Sequence, residues 1–453
     1  MEETIIPVIP ALITLGTIMV LGFIGNYIFN RTQIPSIVWL LLFGLVVGFV
    51  FNIQETISTD LLGYISSFFG AVAIVIILFD GGINIDLYQL FRGAPRGLLL
   101  TVSGFCLSII VTMLIVVGLS MTILPGIPFE NSVLVGIILG AIVGGTSSPI
   151  VIPLAFRLKN LQEKTKMVSS IESVLTDPLC IVVVLAILAM MGEVGGSINL
   201  SLGAQSLVST FSVGIVIGLI LGVIWLPIMH KVRKQEFSYV LTLAIVFLVY
   251  SLTTLLVGED KGGTGAGAIA CLMFGLVLGN GKKILKMVRY SGKGFEMDEQ
   301  TKQFHSLTSF VIRTFFFVYL GIIVSFQDIK FILVGIIIVL LLLVVRYLAV
   351  IISTFHGNFE KDDKQTMTVM MPRGLAAAIL AINFGPDFVD KLMPGMDGFF
   401  KDIAFVVILG TAIITTTGVS IISHYEMKKA KEAETQNTED NDIDNVIDQN
   451  NKD

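Results

Sequence analysis

The chain has 453 residues, of which 54% are hydrophobic and only 14% charged, with a mean hydropathy of +0.89. Soluble domains carry nearer a quarter of charged residues, so a secreted, cytosolic or nucleic-acid-binding protein is excluded. The formal net charge of −5 sits in the segment 426–453, which holds nine acids and four lysines, while the 25 acids and 25 bases elsewhere cancel.

Taken in chain order, thirteen apolar segments are long enough to cross, or nearly cross, a hydrocarbon core of ~30 Å. They lie near 7–29, 34–52, 61–83, 97–124, 131–155, 168–192, 205–229, 237–256, 264–280, 304–324, 330–354, 366–385 and 401–424. Lipid cannot satisfy an open backbone, so runs this dense are expected to be helices. The fold class is therefore an all-α polytopic membrane protein with a transmembrane domain over 1–424. Met1, Glu2 and Glu3 lack the basic start of a cleaved signal, so the first run is expected to be a retained span. The segment 425–453 is acidic, Asn-rich and nearly devoid of apolar residues, which predicts a disordered cytoplasmic tail. Glycine is abundant at 44 residues, as where helices pack closely in lipid. Cys106, Cys180 and Cys271 sit inside apolar runs and form neither a disulfide framework nor a metal-ligand spacing.

The basic residues orient these spans. Twenty-two lysines and arginines fall in the tail and in loops after odd-numbered spans, against four (Lys261, Lys330, Lys391, Lys401) after even-numbered ones. Positive loops stay inside. The N-terminus is thus expected outside, the C-terminus in the cytoplasm, and the protein in the cell membrane. Arg313, Arg346 and Arg373 remain within spans, where ionisable groups point to function. Arg346 lies towards the cytoplasmic end of its span, and its long stem lets it snorkel to the interface.

Two spans carry breaks. GGTSSP (144–149) interrupts the fifth and MMPRG (371–374 and its preceding methionine) the twelfth, each with proline and glycine in an apolar run. The breaks are seven spans apart. Spans 1–6 and 8–13 then form two inverted six-helix repeats, with span 7 as a linker helix and broken helices 5 and 12 as counterparts. Such a pair marks the midplane site of a transporter; the competing account is two unrelated proline kinks.

The sixth span reads SSIESVLTDPLCIVV. Ser173 and Asp177 stand i and i+4 on one face, and Glu172 and Thr176 on the adjacent one. With Thr146, Ser147 and Ser148 from the break, they make an oxygen-rich pocket suited to a hard monovalent cation. Asp177 can carry either that cation or a proton. The alternative is an aspartate capping a half-helix. Glu172 has two candidate partners, Arg373 and Arg313, in a pair expected to be structural; Arg313 could equally offset the helix dipoles at the crossing. Asp80, at the cytoplasmic end of the third span, is either a funnel acid that attracts cations or an interfacial carboxylate without a role.

Other classes fit less well. No HExxH or GxSxG occurs, and His230, His305, His356 and His424 lie at span ends, which argues against a membrane enzyme. GGTGAG (262–267) opens a span instead of following a strand, so close packing accounts for it. A channel would line a through-pore with repeated polar rings.

At FDGG (79–82), GGTSSP (144–149), ESVLTDP (172–178), RTFFFVYLG (313–321) and MMPRGLAAA (370–378) the chain resembles the monovalent cation/proton antiporters, in the NhaP-type sodium/proton branch related to eukaryotic sodium/proton exchangers. The resemblance covers residues 7–424. It implies a homodimer in the lipid bilayer, with a core bundle (spans 4–6 and 11–13) moving against a dimerisation bundle (spans 1–3 and 7–10). It also implies exchange of Na⁺, or of Li⁺ or K⁺, for H⁺ without a cofactor. Asp177 would be the ion-binding acid, Ser173 and the Thr146 region would help coordinate, and Glu172 would pair with Arg373. Two positions depart from the family pattern: Thr176 replaces the usual Asn, and Ser148 replaces an Asp found in many members. With those positions uncharged and Glu172 neutralised, Asp177 is the one acid free to alternate. That predicts electroneutral 1:1 exchange.

Overall fold

The computed structural model describes residues 8–32, 34–51, 59–85, 95–124, 127–158, 161–192, 200–232, 238–258, 263–282, 284, 299–324, 326, 328–384, 386–396 and 398–450. Met1 to Glu3, the loop bases Lys159, Arg92, Arg233, Lys234, Lys261, Lys283, Lys286, Arg289 and Lys293, and residues 451–453 lie outside the described residues.

Among the described residues all regular structure is helical. In chain order the helices are α1 (Val8–Thr32), α2 (Ser36–Phe51), α3 (Thr59–Asn84), α4 (Pro95–Ser120), α5 (Phe129–Ile142), α6 (Ser148–Arg157), α7 (Glu163–Gly192) and α8 (Leu200–Val232). There follow α9 (Ser238–Val257), α10 (Gly263–Gly279), α11 (Glu299–Ile323), α12 (Ile329–Thr354), α13 (Lys361–Val369), α14 (Leu375–Ile382), α15 (Pro386–Leu392) and α16 (Phe399–Asn450). Among the described residues, six stretches are long and apolar enough to cross a membrane by themselves: Pro95–Ser120, Glu163–Leu188, Thr210–Met229, Ser238–Val257, Ile329–Thr354 and Phe399–Tyr425. All but Glu163–Leu188 expose Leu, Ile or Val on their outward faces, as a lipid-facing surface requires.

The two expected interruptions are present. α5 stops at Ile142 and α6 begins at Ser148, with Pro149 in its first turn. α13 stops at Val369 and α14 begins at Leu375, after an extended stretch through Pro372. The broken stretches cross. Ser147 N donates to Pro372 O at 2.8 Å, and a Cβ on Gly374 would come within 2.6 Å of Ser147 Oγ. Only glycine leaves the two backbones room to pass there.

Packing falls into two groups. α4 packs on α5, α7 and α12, and α12 in turn on α13 and α16. On the other side α2 packs on α11, and α10 on α3, α8 and α9. α7 and α14 lie along the seam, touching α3 as well as their own group. There Gly81 of α3 faces Pro178 of α7 so closely that a Cβ would meet the proline ring at 2.7 Å.

The tail corrects an expectation drawn from composition. α16 continues to Asn450, so the segment after 425 is helical there, not disordered. Its first part, KKAKEAETQ, is built from strong helix formers, which extend the preceding span in register.

Candidate functional site

The site is organised by α7 and the two crossing breaks. Pro178 lies inside α7 and removes the amide that would otherwise bond the Val174 carbonyl. Asp177 stands directly before it. Its carboxylate faces a cavity of about 560 Å³ that is also lined by Asp80, Ser148, Arg313 and Val174. Ser148 Oγ donates to Asp177 Oδ2 at 3.4 Å. The cavity opens beside the exposed Glu163 and Phe156. Outside that lining, Phe69 of α3 stacks on Phe315 of α11 at 4.7 Å, and Phe315 on Tyr319 at 5.6 Å.

Glu172 lies in a different setting on the same helix. Its side chain is 3% exposed and Arg346's is 4% exposed, and the two meet through both carboxylate oxygens, at 2.9 Å and 3.3 Å. Thr146 Oγ1 donates a further bond to Glu172 Oε1 at 2.8 Å. Arg346 also donates to Met367 O at 2.9 Å and Met370 O at 3.1 Å. These observations correct two expectations. Arg346 does not snorkel outward, because carbonyls at the end of α13 and an acid at its side draw it in. Glu172 is not held by Arg373 either. Arg373 Nη1 instead donates to Gly144 O and Gly145 O, both at 2.8 Å, across the helix crossing. Those carbonyls follow the C-terminal end of α5, where a cation is favoured by the helix dipole.

The other expected site residues divide between these settings. Thr176 latches α7 to the first break: its Oγ1 accepts from Thr146 N at 3.0 Å and donates to Thr146 O at 3.2 Å. Ser147 is buried at the crossing. Ser173 is fully buried, donates to Ser170 O at 3.1 Å, and does not line the cavity. Asp80 does line it, with Asn84 Nδ2 donating to its Oδ1 at 3.3 Å. Arg313 shares the cavity with both Asp80 and Asp177 and acts electrostatically on each. The structure thus brings Ser148 and Asp177 together with Asp80 and Arg313, and gathers Thr146, Thr176 and Glu172 elsewhere.

The sequence reading named Arg346 but not its role, and it missed two threonines that hold the second break. Arg346 carried a signal, a lone base in LLLLVVRYLAV, but the spacing could not name its partner. Thr411 and Thr415 of α16 brace the second break, accepting from Arg373 N at 3.1 Å and Met371 N at 3.3 Å. Threonines in a span carry no such signal, since most bond their own helix.

Comparison with known proteins gives the family. Residues 14–424 match the family described as "Sodium/hydrogen exchanger, transmembrane". The Na(+)/H(+) antiporter 1 of Methanocaldococcus jannaschii is 25% identical over 404 residues, covering 88% of this chain and 89% of the relative. The K(+)/H(+) antiporter NhaP2 of Shewanella sp. strain MR-4 is 24% identical and covers 80% of this chain, which spans only 57% of that relative. The solved structure of the sodium proton antiporter MjNhaP1 from M. jannaschii at pH 8 superposes with a TM-score of 0.69 at 23% identity, covering 92% of this chain and all of that one.

Proposed function

The chain belongs to the sodium/hydrogen exchanger family and exchanges a monovalent cation for protons across a membrane; from that premise we propose that Asp177 is the carboxyl that alternately carries the two. The observation that carries the reading is the contrast within α7. Glu172 is fully occupied by Arg346 and Thr146, whereas Asp177 lines the open cavity, where Ser148 alone of its neighbours approaches it through a long hydroxyl bond and its backbone amide. A cation entering from the cavity would meet the Asp177 carboxylate, the Ser148 hydroxyl and water. Cation and proton then compete for one negative charge.

Na⁺ is the preferred cation in this reading, with Li⁺ as a second substrate. Support comes from the M. jannaschii sodium antiporter, 89% of whose length is matched, against 57% for the Shewanella potassium antiporter. K⁺ exchange is the second reading, favoured by that same Shewanella relative.

The proposed architecture has thirteen spans in two inverted repeats, with the N-terminus outside and the C-terminus in the cytoplasm. The 22-to-4 division of bases supports this orientation. The group containing α4 to α7, α12 to α14 and α16 acts as the moving core, and α1 to α3 with α8 to α11 as the homodimer scaffold; the two packing groups support that division. With this orientation the cavity opens to the cytoplasm.

The test is purified protein in liposomes with an imposed pH gradient, scanned across Na⁺, Li⁺ and K⁺. Saturating, cation-driven proton flux in the wild type and none in Asp177→Asn is the expected result. Flux that survives the substitution would remove Asp177 from this role.

A further inference from the structure

Lys166 breaks two local rules at once. It stands in the first turn of α7, where the helix dipole disfavours a cation, and its side chain is only 9% exposed. Its Nζ lies 2.8 Å from Glu163 Oε1, yet that carboxylate belongs to a side chain 82% exposed. A pair with so exposed a partner adds little stability, so the bond does not account for the burial. The Phe156 ring centroid lies 6.0 Å from Nζ, at the outer limit of a cation–π contact.

Lys166, Glu163 and Phe156 all line the cavity that reaches Asp177. The other charged groups on that route are Asp80, Arg313 and Asp177 itself. Lys166 precedes Asp177 by eleven residues on one helix, roughly 16 Å at 1.5 Å per residue. A unit charge acts further within a low-dielectric channel than in bulk solution. A buried ammonium at the mouth of a cation route therefore opposes the approach of what the route delivers.

We infer that Lys166 sets the apparent affinity for the transported cation on the side where the cavity opens, with Glu163 holding its ammonium back from the route. Loading from that side then requires a higher cation concentration than the Asp177 site alone would demand. The inference rests on the exchange reading above.

The experiment measures the KM for cation separately from each face, in oriented proteoliposomes, using the cation that supports exchange by the wild type. Lys166→Gln should lower KM on the cavity side about threefold, and Glu163→Gln should raise it there by about the same factor. Lys166→Arg should resemble the wild type, and maximal rates should hold in all three. A pair kept only for structure would move both neutralising variants in the same direction, on both faces and together with thermal stability. That pattern, or an unchanged KM in Lys166→Gln, overturns the inference. Wild-type liposomes without cation-driven proton flux would instead overturn the exchange reading, and this inference with it.

Discussion

Glu172 and Asp177 lie five residues apart on one helix and illustrate how surroundings divide labour between two like groups. Around Glu172 the acceptors are matched: a guanidinium spans both oxygens and a threonine hydroxyl fills a remaining lone pair. Around Asp177 they are not. Ser148, with its hydroxyl at 3.4 Å and its backbone amide, attends a carboxylate that lines a cavity and has no guanidinium bonded to it. A buried acid with all its partners in place is expensive to disturb, and so serves architecture. An acid with spare acceptor capacity beside solvent can exchange its ligand.

Each prediction attacks one side of that contrast. Asp177→Asn should abolish exchange while the protein remains folded, because an amide neither balances a cation's charge nor carries the proton; liposome flux together with a melting curve checks both halves. Glu172→Ala and Arg346→Ala should each lose about 3–5 kcal/mol of stability, the usual cost of breaking a buried pair from one side. Their double variant should lose less than the sum, whereas Glu172→Ala combined with Arg373→Ala should be close to additive in the same thermal assay. Ser148→Ala removes one long hydrogen bond to the carboxylate, worth ~1 kcal/mol, so KM for the cation should rise about fivefold with little change in stability. The smallest effect expected is none. Exchange should not respond to a membrane potential clamped with valinomycin and K⁺, using Na⁺ as substrate, since the Asp177 carboxylate is neutralised alike by one cation or by one proton and neither crossing moves net charge. A systematic shift of rate or of final pH gradient with potential would mean that Asp80 or Arg313 changes charge during the cycle.

Much of the fold was legible because lipid imposes a simple code. Continuous apolar runs gave the helices, and proline with glycine inside such runs gave the breaks at 144–149 and 371–374. Asp177 and Ser148 could be assigned to one pocket in advance because a mid-span acid and a hydroxyl at a helix break both offer oxygen at membrane depth. The partner of Glu172 could not. Arg313, Arg346 and Arg373 are equivalent in sequence, and only the crossing of the breaks shows which carbonyls each guanidinium can reach. Ser173 marks the limit of reasoning from helical period: it shares a face with Asp177 by spacing, yet its hydroxyl turns along the helix to Ser170. The tail failed for a related reason. Low hydrophobicity rules out a packed core, but not a helix that simply continues from the span before it.

The apolar packing of α7 beyond Pro178, where Cys180, Ile181 and Val184 are buried, bears on coupling efficiency. In the proposed cycle, a carrier that returns with neither cation nor proton must bring a bare carboxylate against such packing, away from the cavity's water. Moving an ion into such surroundings costs several kcal/mol, and each 1.4 kcal/mol slows a crossing about tenfold. That packing would thereby suppress futile, empty turnover. Gradient energy would be conserved by side chains that never carry the ion.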